Sequence, residues 1–382
     1  MTAVPLGEPV HPDLPYVRAL HDLREARDVG SAGARVDALR RSAEALGDRL
    51  REEGPALAVR TFDVSDLVYP ARFAFQGALQ RPWPFVAMRH RCLLVQLQTE
   101  EGVRNLLFNP SDREASKATP YFEDLQARFP GAEAFLGTPP RPVEAQLADV
   151  GLTPEDIHLV AFDHFHTQDL RPLVGTLGSD PMHPPLPARY PNAKLLAPRT
   201  EWEDWADLHP MQRAWFVPEG RDDVDMDRVV LTDGDLHLAP GVALVQTPGH
   251  TSGNQTLFVA TDEGVFGCSE NGTSVDNWSP YESRLPGLKG HARVFDLEVV
   301  LNANTPESAA EQYASMIVER SVVDRVEEAP AFVQMFPSSE VIASVVAPGL
   351  RPTVSIGAKT HGPIARAHTA RPRTSATARA HA

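Results

Sequence analysis

The stretch VAFDHFHTQD, residues Val160 to Asp169, reads as the end of a buried strand, Ile157 to Phe162, running into a loop that carries His164 and His166 two positions apart. A short apolar run bounded by turn-forming residues is the pattern of a strand covered on both faces. Far downstream a second apolar stretch, Val242 to Thr247, runs into Pro248-Gly249-His250. Three histidines thus leave strand ends, and three neutral imidazoles make up most of a tetrahedral metal shell.

Working outward, Val36, Leu39, Ala43, Leu46 and Leu50 recur at three- and four-residue steps, and Gly54-Pro55 stops the run. The spacing predicts an amphipathic helix over Ala34 to Glu53. A short helix is expected around Tyr16 to Ala26. Strand signals begin near Leu57 and resume in Phe85 to Gln98 and Val103 to Phe108, which Glu101-Gly102 joins as a hairpin. Helices are expected over Tyr121 to Phe129 and Val143 to Val150, and a hairpin over Leu231 to Leu238 through Asp233-Gly234. Strands follow at Thr256 to Ala260 and at Glu298 to Asn302, and a long helix over Pro306 to Glu327 has proline in its first turn.

This order of elements predicts an α+β, four-layer αββα sandwich, two mixed sheets flanked by helices. Four segments are expected: a helical N-terminal extension (1–56), the main domain (57–330), a C-terminal segment packed on it (331–357) and a disordered basic tail (358–382).

Composition bounds the function. The chain has 382 residues, 42% hydrophobic and 23% charged, the make-up of a soluble globular protein. No apolar run is long enough to span a bilayer, and the N-terminal residues lack the pattern of a secretory signal. The two cysteines, Cys92 and Cys268, make no disulfide framework. A cytoplasmic location is expected. Net charge is −15, and the five basic residues after Ala358, with no acid among them, leave −20 on the rest. Such a body repels nucleic acid and anionic membrane, so the expected partner is a small-molecule substrate.

The succession of HFHTQD, TPGHTSGN and a strand ending VFGC, with DGDLHLAPGVALVQTPGHTSGNQTLFV around the middle motif, resembles the metallo-β-lactamase superfamily over about residues 57–330. The family's loop reads His-x-His-x-Asp-His. Carried over, its first two histidines fall on His164 and His166, its aspartate on Gln168 and its last histidine on Asp169. Its later histidine falls on His250, its metal-bridging aspartate on Cys268 and its final histidine on Asn304. The resemblance therefore implies one intact half of a two-metal site and one rewritten half.

From this we expect one Zn²⁺ per chain, with iron as an alternative, held by His164, His166 and His250 with Cys268 or Asp169 as a further ligand. The family's loop carboxylate is replaced by the neutral Gln168, so Asp169 or Glu270 is the expected catalytic base. The implied activity is hydrolysis of an ester, lactone or thioester by a metal-activated hydroxide. Two other readings use the same residues: an iron oxygenase with a facial triad of two histidines and Asp169, and a non-catalytic metal-binding descendant. Trp202, Trp205, Trp215, Phe216 and Trp278 are read either as a pocket wall or as ordinary core.

Overall fold

A computed structural model describes residues 4–80, 83–131, 141–179 and 184–366. Among these residues two mixed sheets lie face to face. One has six strands, in the order Arg18–Leu20, Asp235–Ala239, Val242–Gln246, Gln255–Thr261, Gly264–Ser269 and Met335–Pro337. Its last pair is parallel and the rest antiparallel. The other has eight strands. Its main path runs Thr360–His361, Ala58–Pro70, Phe85–Thr99, Gly102–Phe108, Leu159–Ala161, Lys194–Pro198 and Val229–Thr232, and Ser339–Ile342 also pairs with Phe85–Thr99. The hairpin through Glu101-Gly102 is present, with Thr99 opposite Gly102.

Strand alternation builds the layers. Leu159 and Ala161 join the core between the sheets, while Val160 and Phe162 face an outer cluster with Leu147, Leu173, Trp202 and Trp205. In the other sheet Val242 and Leu244 face inward, and Ala243 and Val245 face the helices Ala32–Glu53 and Ala309–Val322. Successive side chains on a strand point to opposite faces, so both faces of each sheet are covered, as the apolar runs require. The two helices approach closely at Gly47, where a Cβ would lie 2.4 Å from the carbonyl oxygen of Val322. The expected αββα sandwich is the observed architecture.

Local expectations needed correction. Asp233-Gly234 does not close a hairpin: Val229–Thr232 ends one sheet and Asp235–Ala239 begins in the other, so the turn carries the chain across the sandwich. The hairpin is one turn later, where Asp235–Ala239 pairs with Val242–Gln246. The expected N-terminal helix is replaced by the edge strand Arg18–Leu20 and one short turn, Arg24–Arg27.

Glu298 to Asn302 forms no strand. Its amides at Val300 and Asn302 donate instead to the carbonyls of Asn277 and Asn271, tying loops together. The late helix stops at Val322, because Asp324 turns back to accept the amides of Val265 and Gln334 through its carboxylate and carbonyl respectively.

The terminal segments belong to the sandwich. Residues 331–357 add a strand to each sheet and pass through Ser338 between them. The expected disorder does not begin at 358: Thr360–His361 pairs with Val59 and Arg60, and Lys359 Nζ meets Glu263 at 2.8 Å. The open edge of Ala58–Pro70 offers unpaired backbone groups, which a reading of composition alone passes over. Residues 367–382 lie outside those described.

Candidate metal centre

His164 and His166 stand on the loop after Leu159–Ala161, and His250 on the loop after Val242–Gln246. One nitrogen from each of the three lies within 4.8 Å of the others, and all three residues are buried at that point. Ring centroids are 4.5–4.9 Å apart. The Nδ1 of His166 is 3.2 Å from the Nε2 of His250.

The partners of His164 and His166 fix which of their nitrogens are free; on His250 the Nδ1 is buried without a partner. His164 Nδ1 meets Asp163 Oδ1 at 2.8 Å, leaving Nε2. His166 Nε2 meets Gln212 Oε1 at 2.6 Å; that oxygen only accepts, so Nε2 carries the proton and Nδ1 has the lone pair. Burial, then the nearby His164, hold His166 far below the usual histidine range. Burial, then His164 and His166, do the same to His250. Neutral imidazoles with converging lone pairs are the donor set that suits zinc. The three converging histidine nitrogens therefore fit a metal ion.

The loop is anchored by strain and by hydrogen bonds. Thr167, next to His166, has φ +63°, a left-handed backbone that a β-branched residue rarely adopts. Its amide is held by the carbonyl of Trp215 at 2.7 Å. Gly249, next to His250, lies against the late helix, where a Cβ would be 2.2 Å from the backbone of Gln312.

The two expected further ligands, Cys268 and Asp169, are not in the group of three histidines. Cys268 is wholly buried in the core between the sheets, and burial pushes its thiol far up. Its side chain packs with the apolar residues between the sheets. The two oxygens of Asp169 take the guanidinium of Arg171 at 2.9 and 2.8 Å. The two-histidine, one-Asp169 triad is therefore not assembled. Gln168 donates to the carbonyl of His166 at 3.1 Å. Asn304 lines the cavity, with its side-chain oxygen buried and unpartnered.

The carboxylate beside the histidines is Asp163. Besides His164 it takes Asn109 Nδ2 at 3.1 Å and the hydroxyl of Ser338. Ser338 Oγ is also 2.9 Å from Glu270. One hydroxyl has one proton, so with Asp163 ionised Glu270 supplies the other. Burial, then the Asp163 charge, push Glu270 up to about 8, consistent with a carboxyl that keeps its proton at neutral pH. For His164 burial opposes the charge, but Asp163 outweighs it and raises the pKa.

Asp163 could have been suspected from its place before His164. Gln212, Glu201 and Ser338, all from distant segments, left no sequence signal.

The rings open onto a cavity of about 420 Å³ whose wall includes Glu270, Asn302 and Asn304 at the polar end. Leu67, Met88, Phe122, Leu125, Phe129 and Trp215 form an apolar part of it. Of the five aromatic residues singled out from sequence, only Trp215 lines this space. Trp202, Trp205 and Phe216 pack outside the eight-stranded sheet, and Trp278 is wholly buried outside the other. His158, away from this cavity, accepts the amide of Asn105.

No protein-family model matches the chain. It is 26% identical over 117 residues to the N-acyl homoserine lactonase AiiA of Bacillus thuringiensis subsp. kurstaki, a match covering 31% of this chain. A lactonase from another Bacillus matches at the same identity and extent. The chain spans 38% of the length of these relatives. Among solved structures, a probable metal-dependent hydrolase from Staphylococcus aureus is similar at TM-score 0.45 and 14% identity, covering 68% of this chain and 83% of its own. AidC, a dizinc quorum-quenching lactonase in complex with a product, has TM-score 0.45 and 13% identity, covering 78% and 94%.

Proposed function

We propose that this chain, a distant relative of the N-acyl homoserine lactonases with a metallo-β-lactamase-like fold, is a hydrolase that uses one divalent cation to cleave an ester, lactone or thioester carrying an apolar tail. The observation that supports it most is the convergence of one nitrogen from each of three histidines beside a cavity lined in part by apolar side chains. A bound zinc ion would supply Lewis acidity toward a carbonyl and lower the pKa of a water. Zinc suits the three nitrogens, with iron as the alternative, and the absence of Cys268 and Asp169 from the group supports a reading of one ion per chain.

The chain's own residues do the rest. His164, His166 and His250 hold the cation. Asp163 keeps the Nδ1 proton of His164 in place and so its Nε2 lone pair turned to the centre. Glu270, a buried carboxyl that lines the cavity and has its pKa raised to about 8, is assigned the donation of a proton to a departing alkoxide or thiolate. Leu67, Met88, Phe122 and Leu125 exclude water from the tail. With Gln168 hydrogen-bonded to the backbone and Asp169 paired with Arg171, neither is assigned a catalytic part.

A panel of esters, lactones and thioesters with tails of increasing length tests this. Turnover should require added metal, stop with a chelator and improve with tail length. Metal-loaded protein that hydrolyses none of the panel would favour the non-catalytic reading.

A further inference from the structure

Glu201 is a fully buried carboxylate that none of the steps above uses. It stands on the helix Arg199–Asp204 and is 1% exposed. Its Oε1 accepts the amide of Phe165, the residue between His164 and His166, at 2.9 Å. Its Oε2 accepts the amide of Gly253, three residues after His250, at 3.0 Å. The two oxygens of one carboxylate thus join the two loops that bring the histidines together. The backbone is fitted to the same contact, since a Cβ on Gly253 would lie 2.4 Å from the Cβ and 2.8 Å from the amide nitrogen of Glu201.

A buried carboxylate is expensive to desolvate and is kept where strong acceptors are needed. Here both acceptors meet backbone donors, and among the described residues no cationic side chain forms an ion pair with it. We infer that Glu201 is a positioning residue: its carboxylate clamps the His164–His166 loop to the His250 loop and sets the distance between the imidazoles before any cation binds. The inference rests on the three-histidine reading of the site, but its first test does not.

That first test is amide hydrogen exchange on the metal-free wild-type protein. The amides of Phe165 and Gly253 should both be strongly protected and should lose protection together when the clamp opens. Fast exchange at either amide would overturn the proposal, whether or not the protein binds metal. The second test is Glu201→Gln, which replaces one acceptor oxygen by an amide nitrogen facing an N–H donor. Its affinity for Zn²⁺, read by competition with a chelator, should fall about 10- to 100-fold. The visible bands of the Co²⁺-loaded variant should shift.

Gly253→Ala, which pushes from the opposite side, should reproduce both effects. Glu319→Gln is the control, because Glu319 is equally buried and hydrogen-bonded but holds Thr256, Asn271 and Trp278 rather than the histidine loops. Wild-type affinity and bands in Glu201→Gln, or the same loss in Glu319→Gln, would contradict the clamp. A wild-type protein that binds no metal but protects both amides would refute the metal reading and leave the clamp standing.

Discussion

The Nδ1 of His166 and the Nε2 of His250 lie 3.2 Å apart, although 84 positions separate the residues. With His166 protonated on Nε2, this contact is a hydrogen bond only if His250 carries its proton on Nε2. A cation between them takes both lone pairs instead. Metal binding should therefore displace a proton from His250 Nε2, and the Nε2 proton resonance of His250 should vanish when Zn²⁺ is added. A resonance that persists in the loaded protein would place the cation elsewhere.

Cys268→Ala separates a packing residue from a ligand. The side chain sits in the core between the sheets. The variant should keep its metal content and lose about 1 kcal/mol of stability, the usual scale of a small core deletion. Metal analysis beside denaturant unfolding reads both, and a halved metal content would restore the thiolate as a ligand.

Much of the fold and part of the site were legible in the sequence, for reasons specific residues make plain. Leu159 to Phe162 and Val242 to Val245 are apolar at every position because both faces of each strand are buried. Histidines placed directly after such strands mark themselves. The carboxylates were harder. With Gln168 in the place of the family's aspartate, Asp169 or Glu270 is the expected base, but Asp169 pairs with Arg171 and the carboxylate on the His164 ring is Asp163. Likewise Asp233-Gly234 has the residues of a hairpin turn, and only the burial of both flanking strands in different sheets decides against one. Ser338, Gln212 and Glu201 reach the site by tertiary packing, which no local pattern encodes.

Glu319 links the late helix to the sheet, accepting Trp278 Nε1 at 2.8 Å, Thr256 Oγ1 at 2.8 Å and Asn271 Nδ2 at 2.7 Å. Burial pushes its pKa up from 4.5 to about 7. The folded state then binds more protons than the unfolded one between these values. The group's contribution is fully present below pH 4.5 and is lost as pH rises through 7. Glu319→Gln should remove a pH-dependent component on the order of 3 kcal/mol from that window. Unfolding free energies at pH 5 and pH 8 measure it; an unchanged slope would contradict the assignment.

Gly249 has φ +137°, and a Cβ there would lie 2.2 Å from the backbone of Gln312. Gly249→Ala must move either the His250 loop or the late helix. It should destabilise the protein by about 2 kcal/mol or more and weaken metal binding as well. Full metal affinity in a folded Gly249→Ala protein would show that the loop does not depend on this contact.

Phe122 lines the cavity from the helix Pro120–Arg128. Phe122→Ala should lower kcat/KM about tenfold for long-tailed substrates and little for short ones, the scale of one aromatic side chain withdrawn from apolar contact. An equal loss at all tail lengths would assign Phe122 to the frame of the site rather than to the tail.

The central claim is that three imidazoles grip one cation. Metal analysis of the protein purified without added metal, repeated after zinc reconstitution, tests it most directly. The wild type should hold one equivalent per chain and His250→Ala almost none. No bound metal after reconstitution, two equivalents per chain, or one equivalent that survives the loss of His250 would each contradict it.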